Sequence, residues 1–179
     1  MLAKPPGPDK ALVVAVGAVF RSDRILLIRR NFEPFAGCWG MPGGKIHAGE
    51  HIEDAVEREV FEECGIRAEF QRFCGVLSER VSLGARTGTK GTRCGIVSPT
   101  CRHYLVLVSR LKALTEEITP SCEGDVRWFP KADLGKLKRV MIPSDYLMLE
   151  RFVFRPSRRV YYRCEIVKLR GRYRILKFY

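Results

Sequence analysis

Three glutamates, Glu59, Glu62 and Glu63, stand close together in the stretch GGKIHAGEHIEDAVEREVFEECGI, residues 43–66. Ile52, Val56 and Val60 recur at every fourth position, which predicts an amphipathic helix of about three turns. It starts after the glycine-bearing turn at Ala48-Gly49 and ends at Gly65, a residue suited to the left-handed position that closes a helix. At 100° per residue the three carboxylates fall within an arc of roughly 100°. Like charges this close destabilise a helix unless a cation is bound among them. Hard carboxylate oxygens suit Mg²⁺, with Mn²⁺ as a substitute, far better than zinc. Glu59, Glu62 and Glu63 are therefore the expected metal ligands, and Gly43 the expected source of a backbone carbonyl. A solvated acidic helix face is the competing reading.

Two further features support a site here. Glu50 lies one to two turns ahead of Arg58, close enough for the pair to bridge the junction of loop and helix, so Arg58 reads as an orienting residue. Gly43 and Gly44 leave backbone N–H groups free to approach an anion.

Counted from Gly44, the pattern is Gly, five residues, Glu50, seven residues, Arg58-Glu59-Val60, one residue, Glu62-Glu63, one residue, Gly65-Ile66. It resembles the complete signature box of the Nudix hydrolases, and the resemblance extends over about residues 11–140. It implies an α/β fold, an α/β/α sandwich whose mixed central sheet carries the catalytic helix on one side. It also implies hydrolysis of a nucleoside diphosphate linked to another group, with Arg58, Glu59, Glu62 and Glu63 in catalytic roles. The glutamate that acts as base stays open. By the same resemblance Arg30 is a phosphate contact, and Phe35 and Trp39 are neighbours of a base or sugar. Core packing for Trp39 and a solvated strand end for Arg30 are the alternatives. Glu123, with Asp125 as second choice, maps to a loop glutamate given a base role in ADP-ribose-cleaving members, against an ordinary surface acid.

The elements that must position these groups can be read in order. ALVVAVGAVF is β-rich and ends at a turn around Ser22-Asp23, and Ile25 to Ile28 is its expected hairpin partner. Arg67 to Glu79 and HYLVLVSRL are strands, and His103 opens the second as a structural histidine. Between them SLGARTGTKGTRCGIVSPTC, residues 82–101, reads as a basic lid or a flexible hairpin excursion. Residues 115–130 form an acidic loop and an aromatic strand, followed by a short helix from Lys131 to Leu137. Pro143-Ser144 can start another helix that runs to about Phe152.

Residues 1–150 are expected to form the Nudix domain and 151–179 a basic, aromatic C-terminal extension built as a β-hairpin about Arg170-Gly171. The net charge is +12, and this extension holds ten Lys/Arg against the single acid Glu165, so it supplies +9. One face packed on the domain or on a second copy, with the basic face in water, is favoured over a nucleic-acid surface. Expected partners are thus a small nucleotide and, as an option, a homodimer mate. No segment is long enough to span a bilayer and no signal peptide is visible, so the expected location is cytoplasmic. The seven cysteines show no C-x-x-C pair, which argues for reduced thiols, a pairing of Cys94 with Cys101 across one loop being the alternative.

Substrate markers downstream of the box are missing. The ADP-ribose proline and the dinucleoside-polyphosphate tyrosine would fall near Val81 to Leu83, and neither is there. The FEPFAGCWGMPGGKIHAGE stretch is similar to small prokaryotic or archaeal members of the ADP-ribose or nucleoside-triphosphate kind. ADP-ribose or a related nucleotide sugar is the preferred class. An (oxidised) nucleoside triphosphate or capped RNA is the alternative, and a non-catalytic binding domain the more distant one.

Overall fold

A computed structural model of the chain describes residues 10–83, 101–119, 121–155 and 158–179. The sheet is built around β1 (Leu12–Arg21), whose side chains alternate between two apolar clusters. Ala15 and Val19 face one side, while Ala18 and Phe20 face the other. This is the period of two expected of a strand buried on both faces. β2 (Arg24–Arg30) turns back through Ser22-Asp23 and pairs antiparallel with β1 at Phe20–Ile25. β3 (Trp39–Gly40) extends this edge, and β4 (Gly43–Lys45) pairs antiparallel with the start of β1.

Helix α1 (Ile52–Cys64) lies on the first face, with Ala55, Val56, Val60 and Cys64 fully buried against Ala15, Val19, Leu26 and Leu111. Burying a valine contributes about 1.5–3 kcal/mol, so this stripe is what fastens the helix to the sheet. Gly65 closes it at φ 70°, and its N–H donates to the Phe61 carbonyl at 2.8 Å.

β5 (Ala68–Ser82) pairs antiparallel with β6 (Cys101–Ala113), and β6 pairs parallel with β1. β7 (Gly124–Pro130) covers the outer side of β2. On the second face sit the short α2 (Leu134–Leu137) and α3 (Pro143–Met148), the latter prolonged by a π-helical turn from Leu149 to Phe154. Met148, Leu149, Phe152 and Val153 are buried there. Helices on both faces of a mixed sheet make this the α/β architecture that the signature box implies.

The sheet does not stop at residue 150. β8 (Tyr161–Leu169) pairs parallel with β5 from Val76 to Ser82, and β9 (Arg172–Phe178) folds back on it. Arg170 and Gly171 both have positive φ, the two-residue turn whose twist suits a hairpin. Tyr162, Cys164 and Ile166 belong to the same core as Phe152, so the C-terminal strands are the outer edge of this sheet.

Of the expected lid or hairpin excursion, residues 82–101, Ser82 ends β5 and Cys101 opens β6, while positions 84–100 lie outside the described residues, and so does Cys94 with its suggested partnership to Cys101. No helix among the described residues is long and apolar enough to cross a membrane.

Candidate active site

With its apolar stripe buried, α1 turns Arg58, Glu59 and Glu62 away from the core. Arg58 is the hub. Its Nε and Nη2 hold Glu50 at 2.7 and 3.0 Å in a bidentate fork, and Nη1 reaches Glu59 at 2.8 Å and Glu62 at 3.1 Å. Nη2 also donates to the Lys45 carbonyl at 3.1 Å. All five N–H donors of the guanidinium are thus engaged. Hydrogen bonding from Arg58, then from the His47 N–H, holds the Glu50 carboxyl down to about 2. Hydrogen bonding to Glu50, then to Glu59, raises Arg58 above its ordinary value.

Gly43 and Gly44 lie beneath this hub. At Gly44 a Cβ would stand 2.4 Å from Glu59 Oε2, so only glycine lets that carboxylate lie against the strand. Gly43, at φ 148°, packs where a Cβ would come within 2.2 Å of the Ala15 carbonyl. Its N–H donates to Glu63 Oε2 at 2.8 Å. Glu63 is only 7% exposed. Burial pushes its carboxyl up to about 7; the Gly43 N–H and the charge of Arg30 oppose this, while Glu59 and Glu123 add to it.

The three carboxylates share one end of the site, each with a different anchor. Glu59 and Glu62 lean on Arg58, and Glu63 turns in to Gly43. Among the described residues no three such groups sit close enough to enclose an ion as placed. The donor set nevertheless fits a hard divalent cation. One oxygen each of Glu59, Glu62 and Glu63 accepts no hydrogen bond among the described residues, and the Glu62 side chain is 58% exposed.

Beside Gly43-Gly44 opens a cavity of about 420 Å³, with Arg30, Lys45 and Arg102 as cations and Phe35 and Tyr104 as aromatic walls. Three acids line it as well, Glu33, Asp145 and Glu79. Asp145, on α3, accepts the Met41 N–H at 2.7 Å, and burial pushes its carboxyl up to about 7. Glu79, on β5, is also raised to about 7 by burial, opposed by Ser144 and assisted by Asp145, and its Oε1 has no partner among the described residues. A raised acid leaves stability fully present below its unfolded value near 4.5 and removes it as pH rises through 7. Glu79→Gln is therefore expected to gain on the parent as pH rises from 5 to 8, by up to about 3 kcal/mol. Thermal unfolding across that range checks this; a difference that does not change with pH would refute it.

A family model of the NUDIX domain matches residues 11–152. The chain belongs to the NUDIX family. An ADP-ribose pyrophosphatase of Methanocaldococcus jannaschii is 41% identical over 66 residues, 37% of this chain and 39% of that protein. A Homo sapiens 8-oxo-dGDP phosphatase is 39% identical over 71 residues, 37% of this chain and 22% of that protein. The chain thus aligns with well under two thirds of either relative. The crystal structure of a MutT protein from Bacillus halodurans superposes with a TM-score of 0.66 at 23% identity, covering 94% of this chain and 96% of that one, and shares its fold.

Within this NUDIX domain the residues singled out by sequence go to different places. Arg30 and Phe35 line the cavity together with Gly43 and Gly44. Trp39 does not; it is 8% exposed and packs edge-on against Phe129, with Arg127 over its ring. Glu123 lies on the exposed loop before β7, near enough for its charge to act on Glu63, while Asp125 pairs with Arg127 at 2.7 Å. His103 lines the cavity and meets Ser78 at 2.9 Å. Glu79 and Asp145 escaped the sequence reading. The alternation Leu77, Glu79, Val81 was the available signal, because a strand that buries 77 and 81 also turns 79 inward.

Proposed function

We propose that this protein hydrolyses the pyrophosphate linkage of a nucleoside diphosphate derivative, with Mg²⁺ as cofactor and ADP-ribose or a related nucleotide sugar as substrate. The observation that carries the reading is the Arg58-fastened set of Glu50, Glu59 and Glu62, with Glu63 buried beside Gly43-Gly44, at the edge of a cavity walled by cations and aromatic rings. The local identity to an archaeal ADP-ribose pyrophosphatase supports the substrate class.

Glu59, Glu62 and Glu63 are the residues that would hold the cation, with the Gly43 carbonyl as a further ligand. When bound, a divalent ion neutralises phosphate charge and lowers the pKa of water. The chain's own groups do the rest. Arg30, Lys45 and Arg102 draw the diphosphate into the cavity, and Phe35 gives a flat apolar surface to a base or sugar. Arg58 keeps Glu59 and Glu62 oriented, so that their placement is fixed before substrate arrives. A carboxylate of the set takes the proton of the attacking water, and Glu123 is a second acid within electrostatic reach. Cleavage of ADP-ribose in this way yields AMP and ribose 5-phosphate.

A nucleoside triphosphate, including an oxidised one, is the second reading, favoured by the 29% identity over 126 residues to a putative 8-oxo-dGTP diphosphatase of Mycobacterium tuberculosis. Incubation with Mg²⁺ and ADP-ribose, nucleotide sugars, canonical and oxidised nucleoside triphosphates or capped RNA, with product identification, separates the two. Turnover of ADP-ribose that stops with chelator confirms the first reading. Turnover confined to triphosphates replaces it with the second, and no turnover of any class removes the catalytic reading.

A further inference from the structure

The C-terminal hairpin lies beyond the residues that match the family, yet it touches the cavity's rim. The contact is made through residues 33–35, all of which line the cavity. The Tyr173 hydroxyl accepts the Phe35 N–H at 2.9 Å and donates to Glu33. A phenol can do both at once, one acceptor site and one proton. Lys168, on the other strand of the hairpin, pairs with the second oxygen of Glu33 and lies 5.2 Å over the Tyr173 ring. Lys168 first, then Tyr173, holds the Glu33 carboxyl below its ordinary value. The Tyr173 ring itself lies 4.4 Å from that of Phe35.

Phe35 shows what these contacts hold in place. Its φ is 71°, a left-handed conformation that a bulky residue keeps only where its surroundings impose it. Tyr173 fixes both the backbone N–H and the ring of Phe35. The surface pair of Lys168 and Glu33 is partly exposed and contributes little alone. The double hydrogen bond and the ring contact of Tyr173 carry the arrangement.

We infer that the hairpin of residues 161–178 is a clamp on the substrate rim, with Tyr173 as the positioning residue that holds Phe35 in its cavity-facing conformation and so sets affinity for the nucleotide. The inference rests on the proposed nucleotide site. It accounts for an aromatic and basic tail without nucleic acid: the aromatic residue grips the rim, and one of the bases neutralises the acid that the grip requires.

Two readouts on the full chain test it. The first, hydrogen exchange, needs no catalysis. Tyr173→Phe keeps the ring but loses the hydroxyl, so amide exchange over residues 31–38 is expected to speed up about tenfold, with α1 and β1 unchanged. The second is nucleotide affinity, read as AMP binding without metal and as KM for the hydrolysed substrate. Tyr173→Phe should weaken both five- to tenfold with kcat within twofold, and Tyr173→Ala should weaken them further. Arg174→Gln, on the same strand, should move neither. Unchanged exchange over 31–38 in Tyr173→Phe overturns the clamp, and so does faster exchange with unaltered affinity. A parent protein that hydrolyses nothing would sink the catalytic reading, and exchange and AMP affinity would still decide the clamp.

Discussion

Glu63→Gln is expected to lower kcat about a thousandfold while leaving the metal-free protein at least as stable as the parent at pH 8. The magnitude is that of removing a positioned carboxylate from proton transfer or charge stabilisation. Stability should move the other way because of where the carboxyl sits. Glu63 is 7% exposed and its carboxyl is raised to about 7, chiefly by burial. A raised acid contributes nothing against folding below about 4.5, and its cost appears as pH climbs through 7. Glutamine has the same shape, and its amide oxygen can still accept the Gly43 N–H, now 2.8 Å from Glu63 Oε2. The substitution thus removes a buried charge without opening a cavity or leaving the donor unpaired. Activity assays with Mg²⁺ beside thermal unfolding with chelator at pH 5 and 8 give both numbers. A variant that loses activity and stability together at pH 8 would show Glu63 to be a structural acid, and near-normal turnover would remove it from the chemistry.

The parts of this molecule that were legible in sequence are those set by local rules. The four-residue spacing of Ile52, Val56 and Val60 and the glycine at 65 gave α1 and its left-handed cap. Pro143 marked the start of α3, and the Ser22-Asp23 turn the hairpin of β1 and β2. The approach of Glu50 to Arg58 followed from spacing alone. What was not legible depends on which distant segment arrives. The parallel pairing of β8 with β5 joins residues about 85 positions apart, and no local pattern names that partner. Glu33 and Tyr173 are separated by 140 positions, so the tail read only as basic and aromatic. Trp39 and Phe35 looked equivalent in sequence, but β7 covers the first while the second turns to the cavity. Nor did the helical arc show how Arg58 would divide its donors, which is why three converging carboxylates became two on a guanidinium and one on a glycine N–H.

That division of donors makes Arg58→Lys the sharper test of how the site is organised. The substitution keeps the charge, so a long-range electrostatic role predicts little change. Geometry predicts a large one: the guanidinium uses all five donors, two of them on Glu50, whereas an ammonium has three and no planar fork. Lysine at 58 is expected to lose the bidentate grip on Glu50 or the contacts to Glu59 and Glu62, and kcat/KM should fall about a hundredfold as their orientation loosens. Arg58→Ala should fall further and lose stability, with a distinct dependence on pH. The Glu50 carboxyl is held down to about 2, so what it contributes is present above its unfolded value near 4.5 and disappears as pH falls towards 2. The gap in melting temperature between parent and Arg58→Ala should therefore be widest near pH 7 and close towards pH 3. Activity of Arg58→Lys within threefold of the parent would mean that charge alone suffices. A stability gap that stays constant with pH would mean that Glu50 takes no part in what Arg58 holds together.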